Sequence, residues 1–208
     1  MTKTNYLSVL IAFVLAFNVQ AQEDASPPKF NIIGYGGIGY GKVKNDNQPN
    51  YNLNSNTGEI LLNYNFGNRI GIATGVGFTE LSGTGFNALG NFYHERTLIK
   101  IPLLLTLGTN VSDKISFFTN IGLYGHTIVE DEYRFLNSAQ KDVFDGWNFG
   151  LQLSVGLMFE IYDGFSAGVN FSGQSDFGKF ETTANQGFND EQRMDNLNTL
   201  GLIFMFDL

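Results

Sequence analysis

The stretch WNFGLQLSVGLMFEI, residues 147–161, decides the fold. Its odd positions are Trp147, Phe149, Leu151, Leu153, Val155, Leu157, Phe159 and Ile161, and its even positions are Asn148, Gly150, Gln152, Ser154, Gly156, Met158 and Glu160. One face is wholly apolar and the other is small or polar. A period of two belongs to a β-strand, and here it gives the strand two unlike environments. The apolar face must meet either a dry core or lipid.

The same alternation recurs along the chain. Residues 97–107 set Ile99, Ile101, Leu103, Leu105 and Leu107 against Lys100, Pro102 and Thr106. Residues 115–126 set Ile115, Phe117, Ile121 and Leu123 against Ser116, Asn120, Gly122 and His126. The last segment sets Leu200, Leu202, Phe204, Phe206 and Leu208 against Thr199, Gly201 and Asp207. The pattern predicts eight strands, near 30–42, 57–66, 69–80, 96–109, 115–127, 147–161, 164–175 and 197–208. The first is the least regular, with Ile33 and Tyr35 on its polar side. Pro102 cannot donate to a ladder, so a bulge or local break is expected there. Connections alternate between short turns (Gly67-Asn68, residues 110–114, residues 162–164) and longer polar stretches near 43–56, 81–95, 128–146 and 176–196.

Composition narrows the class. The 208 residues carry 12 Lys+Arg against 20 Asp+Glu, 25 Gly, 20 Phe, 9 Tyr and no Cys. A net-acidic chain without a basic run does not suit nucleic acid. Without Cys there is no disulfide framework, thiolate zinc site or cysteine nucleophile. Residues 1–21 read as a secretory signal peptide, with Lys3 before an apolar run and Val19-Gln20-Ala21 as the cleavage site. Residues 22–29 then form a short linker and residues 30–208 a single barrel domain.

Four features place the apolar face toward lipid rather than in a soluble lipocalin-like core. The chain is exported, and short turns alternate with long loops. The polar face is rich in Gly, which suits a narrow eight-stranded interior. Aromatics gather in two belts, Phe66, Phe159, Phe165, Phe204 and Phe206 toward the short turns and Tyr40, Phe78 and Trp147 toward the long loops, as girdles at both bilayer surfaces require. The expected fold is therefore all-β, an eight-stranded antiparallel transmembrane up-and-down β-barrel, monomeric in a Gram-negative outer membrane, with both termini periplasmic.

Residues 97–107 (TLIKIPLLLTL), the Gly-rich first strand and the apolar last strand together resemble the PorT-like small outer-membrane barrel family of Bacteroidetes. The resemblance implies an eight-stranded outer-membrane barrel over residues 30–208. It implies no single activity and no catalytic residue. The chain ends Asp207-Leu208 where many outer-membrane strands end in Phe, so recognition by the barrel-assembly machinery is expected to rest on Phe204 and Phe206.

Inward charges are the informative polar residues. Glu59, Arg96 and Lys100 should lie toward the long-loop half, and Arg69, Glu160 and Asp207 toward the short-turn end. Charge in a narrow lumen is costly unless paired, so two internal ion-pair clusters are expected to plug it. Residues 34–39, GYGGIG, match a dinucleotide fingerprint, but a strand continues where that motif needs a helix. His94 and His126 are the only histidines, and Ser154 on a strand neighbouring His126 raises lipid hydrolysis. Lipid-cutting barrels carry such groups on the lipid face, which neither residue occupies, so no catalysis is expected. The acids Glu130, Asp131, Glu132, Asp142, Asp145, Asp190, Glu191 and Asp195 read as solvated outer-loop residues, a calcium or lipopolysaccharide bridge being the alternative. No cofactor or metal is expected. The expected partners are outer-membrane lipid and lipopolysaccharide, the barrel-assembly machinery, and an envelope or secretion protein. A structural or interaction role leads, with a narrow gated channel and a lipid-modifying enzyme as alternatives.

Overall fold

The computed structural model describes residues 29–87, 90–183 and 190–208. The signal peptide over 1–21 and nearly all of the linker over 22–29 lie outside the described residues. The strands are β1 (Phe30–Asn45), β2 (Tyr51–Asn65), β3 (Ile70–Asn87), β4 (Gly90–Ser112), β5 (Ile115–Arg134), β6 (Ala139–Lys141), β7 (Phe144–Asp145), β8 (Trp147–Tyr162), β9 (Phe165–Asp176), β10 (Phe180–Thr182) and β11 (Glu191–Asp207). Eight of them form a ring in the order β1-β2-β3-β4-β5-β8-β9-β11, every pair antiparallel. β11 closes on β1 from Asn31↔Asp207 to Asn45↔Gln192. Closure pairs every strand on both edges, the condition for crossing a bilayer without unpaired backbone. The three short strands β6, β7 and β10 extend the wall at one end.

The lower part of the ring wears its apolar face outward. Ile60, Leu62, Ile101, Leu103, Leu151, Leu153, Leu200 and Leu202 are all exposed. So are seven of the eight girdle aromatics: Tyr40, Phe66, Phe78, Trp147, Phe159, Phe204 and Phe206. Phe165 is half-buried, its ring 4.6 Å from that of Phe206. Ile33 and Tyr35, irregular in the sequence pattern, point into the barrel, where they join Leu61, Ala73, Leu104, Phe118, Met158 and Ile203 in an internal apolar cluster.

Above this belt the two faces exchange character. In residues 51–57, Tyr51, Leu53, Ser55 and Thr57 are buried while Asn52, Asn54 and Asn56 are exposed. Val43, Leu53, Leu81, Phe92, Leu98, Tyr133, Val143, Phe144, Phe180, Met194 and Leu197 form a second internal cluster with Tyr51. This is the polarity of a water-soluble sheet. It corrects the expectation of long polar loops at 43–56, 81–95, 128–146 and 176–196, because most of the described part of these stretches is strand. The period of two persists there, but the apolar side has turned inward.

Pro102 keeps register with Tyr124 of β5. On its other side the β3–β4 pairing passes from Thr74↔Leu103 to Gly77↔Lys100. The break expected there therefore falls on one side only, and the Thr74 hydroxyl donates to the Pro102 carbonyl at 2.8 Å. Some glycines make room for rings. A Cβ on Gly150 would stand 2.4 Å from the Tyr124 ring and hydroxyl and 2.5 Å from the Ser175 carbonyl. Gly150→Ala should therefore cost about 1–3 kcal/mol through overpacking. The midpoint of urea unfolding, read from the fast-migrating unboiled band, should fall; an unchanged midpoint would show that Tyr124 and the Ser175 backbone both give way.

Candidate functional site

The chemistry-bearing side chains gather in the lumen. At mid-depth Lys100 of β4 is buried and makes three bonds, to Glu59 Oε1 at 2.5 Å, Gln152 Oε1 at 2.8 Å and Gln174 Oε1 at 2.9 Å. Gln152 Nε2 returns a bond to Glu59 Oε2 at 3.2 Å. Four strands, β2, β4, β8 and β9, are thus tied across the bore. Lys100 Nζ also lies 5.5 Å from the centre of the Tyr124 ring. Close by, Asp176 accepts from Tyr124 Oη at 2.7 Å, Asn148 Nδ2 at 3.1 Å and the Met194 amide at 2.9 Å, with His126 Nε2 3.1 Å away.

A second cluster stands above the apolar belt. Asp131 of β5 receives His94 Nε2 at 2.7 Å and Arg96 Nε at 2.8 Å on one oxygen, and the Phe144 amide at 3.2 Å on the other. Arg96 continues to Gln192 Oε1 at 2.8 Å and lies over the Phe144 and Phe180 rings. Tyr51 Oη is 2.9 Å from His94 Nδ1 and 3.0 Å from Tyr133 Oη, and Gln192 Nε2 donates to Tyr133 Oη at 3.0 Å. With Nε2 protonated, His94 donates to Asp131 and accepts from Tyr51, so a neutral imidazole satisfies both nitrogens.

Electrostatics agree with that assignment. Burial pushes the Asp131 carboxyl up, but the Arg96 charge and the His94 bond outweigh it and hold the group at about 2. Burial drives His94 down to about 4; the bond to Asp131 opposes this and the Arg96 charge reinforces it. Burial also lifts the Tyr51 hydroxyl to about 12, so it remains a donor. A histidine whose folded value lies below its unfolded ~6.5 loses stability as pH falls, because the unfolded chain takes the proton first. Stability of the outer extension should therefore decline from about pH 6.5 to 4. The Asp131 contribution persists there and fades only toward pH 2. Guanidinium midpoints at pH 7 and pH 4.5 test this: the midpoint should drop for the native chain and much less for His94→Gln, and equal drops would refute the assignment.

The six expected lumen charges divide. Glu59, Arg96 and Lys100 are buried inside, but in two separate clusters rather than one. Arg69 and Glu160 are exposed at the short-turn end, so no enclosed lower cluster forms from them. Arg69 lies in the turn between β2 and β3 and Glu160 near the end of β8, where inward and outward lose meaning. Asp207, also exposed, accepts from buried Asn31, which joins Asn63, Asn65 and Thr106 in an uncharged network. Asp131, His94 and Asp176 were not expected in the lumen. Asp131 and Asp190, read as solvated loop acids, are both buried, and Asp190 accepts from the amides of Asn47 and Glu191.

Ser154 and His126 do not meet. His126 pairs with Asn148 and Ser154 with Asn120, six register positions away, or roughly 20 Å along a strand. Among the described residues no group of three or more His, Asp or Glu could hold a metal ion. At the outer tip of the β3–β4 hairpin an open cleft of about 920 Å³ is lined by Phe86, Phe92, Tyr93, Arg134, Phe135 and Leu136.

The barrel fold has likenesses among solved structures. Neisserial surface protein A is 10% identical with a TM-score of 0.54, over 89% of this chain and 100% of that one. A major outer membrane protein from Thermus thermophilus is 12% identical with a TM-score of 0.55, over 88% and 100%. The outer membrane protease OmpT from Escherichia coli is 9% identical with a TM-score of 0.52, over 89% and 99%. At such identities the likeness is one of fold. No curated protein matches the chain in sequence. Residues 9–206 match the family described as outer membrane protein beta-barrel domain, and the chain belongs to that family of outer-membrane barrels.

Proposed function

We propose that this barrel is a sealed, monomeric member of the PorT-like group, working as a structural or interaction component of the envelope or of a secretion or assembly pathway, without catalysis. It reaches the membrane through a signal peptide cleaved after residue 21 and is inserted by the barrel-assembly machinery, with Phe204 and Phe206 as the recognition feature. The observation that carries the reading is the filled bore. Lys100 ties four strands across its middle, and apolar clusters occupy the lumen above and below. What remains to act is the outer extension, whose cleft presents exposed Phe86 and Leu136 to a protein partner. Purified barrel in planar bilayers should give a flat current trace in potassium chloride; stepwise conductance would overturn the sealed reading.

A second reading, a narrow gated path, draws on one feature. Asn120, Ser154, Asn170 and Ser172 line the inner wall of β5, β8 and β9 with buried polar atoms lacking protein partners. Conductance in the native chain would favour it, whereas conductance appearing only in Lys100→Met would support the plug.

A further inference from the structure

Charge on the outer extension is sorted by sector. On the β3–β4–β5 side, Glu80, Glu95, Glu130 and Glu132 lie on the outer wall, and Arg134 is held by Glu95 and Glu132. On the β1–β11 side cations stand among the acids. Lys42 and Lys44 are both exposed on the outward face of β1, and register places Arg193 of β11 directly opposite Lys44. Among the described residues none of these three cations forms an ion pair within 4.0 Å, and the Arg193 Nε is buried with no hydrogen-bond partner. The close bonds of the neighbouring acids go to other groups, although the Arg193 charge also acts on Asp46. Asp46 and Glu191 both bind Lys179, at 2.5 and 2.6 Å, and Asp195, opposite Lys42, accepts from the Ser175 hydroxyl at 3.2 Å.

The neighbours in this sector are carboxamides. Asn52 pairs with Lys42, Asn54 with Tyr40 and Asn56 with Ile38, all three side chains exposed on the outward face of β2. The height is equally specific. Ile38 is 71% exposed and Tyr40 58% on the same face of β1, marking the upper rim of the apolar belt. Lys42 and Lys44 stand two and four residues further out, about 7 and 13 Å along the strand. That is where the headgroups of the outer leaflet begin.

We propose that Lys42, Lys44 and Arg193, with Asn52, Asn54 and Asn56 beside them, bind the phosphorylated sugar headgroup of an outer-leaflet glycolipid. Three cations held in no close ion pair answer a phosphate through charge-assisted bonds, and the carboxamides supply donors and acceptors for sugar hydroxyls. The acyl chains lie against Ile38 and the belt below. The site rests on the barrel standing in the outer membrane and is independent of whether the lumen is sealed.

Native mass spectrometry of the folded, detergent-solubilised barrel titrated with bisphosphorylated lipid A tests this. Lipid A should bind at least tenfold more tightly than phosphatidylglycerol or dephosphorylated lipid A. The K42Q/K44Q/R193Q variant should bind about a hundredfold more weakly, on the order expected for three surface cations. R134Q/K141Q, in the acidic sector, should bind as the native chain does. Equal binding of phosphatidylglycerol would mean a general anionic attraction and overturn the proposal. So would equal binding of dephosphorylated lipid A, complete displacement by millimolar inorganic phosphate, or native-like binding by the triple variant. Should that variant lose the heat-shifted band of a folded barrel, the native chain at high salt decides: affinity must fall as screening rises, and salt-independent binding would overturn the proposal.

Discussion

Replacing Lys100 by Met should cost about 3–5 kcal/mol, the range for removing one partner of a buried ion pair. The expected loss is this large because of what stays behind. Glu59 is 4% exposed, inside a barrel whose wall is wrapped in lipid, and its carboxylate would keep only the amide of Gln152. Gln152 and Gln174 would lose the ammonium that both now face. The readout is the urea midpoint of the fast-migrating unboiled band, which should fall well below that of the native chain. Glu59→Gln combined with Lys100→Met removes both charges and should recover much of the loss, since a neutral pair of similar volume is often tolerated. A Lys100→Met barrel as stable as the native one would mean that the pair does not hold the strands together.

Glu59, Arg96 and Lys100 were expected inward as one cluster, and why their division into two layers was not legible follows from where each lies. Glu59 and Lys100 sit in segments whose outward residues are apolar, so a charge on the other face can point only into the bore. The same logic made residues 147–161, 99–107 and 200–206 legible as lipid-facing strands. Beyond the bilayer rim the outward residue becomes Asn, Lys or Glu. A strand such as 51–57 then alternates polar against mixed, and its Asn content reads as loop. Asp131 looked like one more loop acid for that reason. Its partners are also distant in the chain. Arg96 is 35 residues away and Gln174 is 74 residues from Lys100, and only closure of the ring brings such positions into one layer. Arg69 and Glu160 failed for the opposite reason, because alternation was extended to strand ends where the turn already controls the side chain.

Asp131→Asn should open the outer extension while leaving the bilayer section folded. Among the described residues Asp131 is the one carboxylate paired with Arg96, which is 3% exposed. It also fixes His94 and, through the Phe144 amide, docks β7. The amide would leave the guanidinium buried with no anion, keeping only Gln192 and the faces of Phe144 and Phe180. That loss is again about 3–5 kcal/mol, but it falls on a region separate from the Glu59–Lys100 layer. Global and local stability should therefore part company. Limited proteolysis of outer-membrane vesicles from outside should cut the variant within residues 134–146 under conditions that spare the native chain. The membrane-embedded remainder should keep its heat-dependent mobility. Arg96→Met together with Asp131→Leu, which removes both charges and keeps apolar volume among Phe144, Phe180 and Leu98, should restore resistance. Resistance in Asp131→Asn alone would show that the apolar cluster, not the ion pair, closes the extension. Loss of the heat shift as well would show that the extension and the membrane section unfold as one unit.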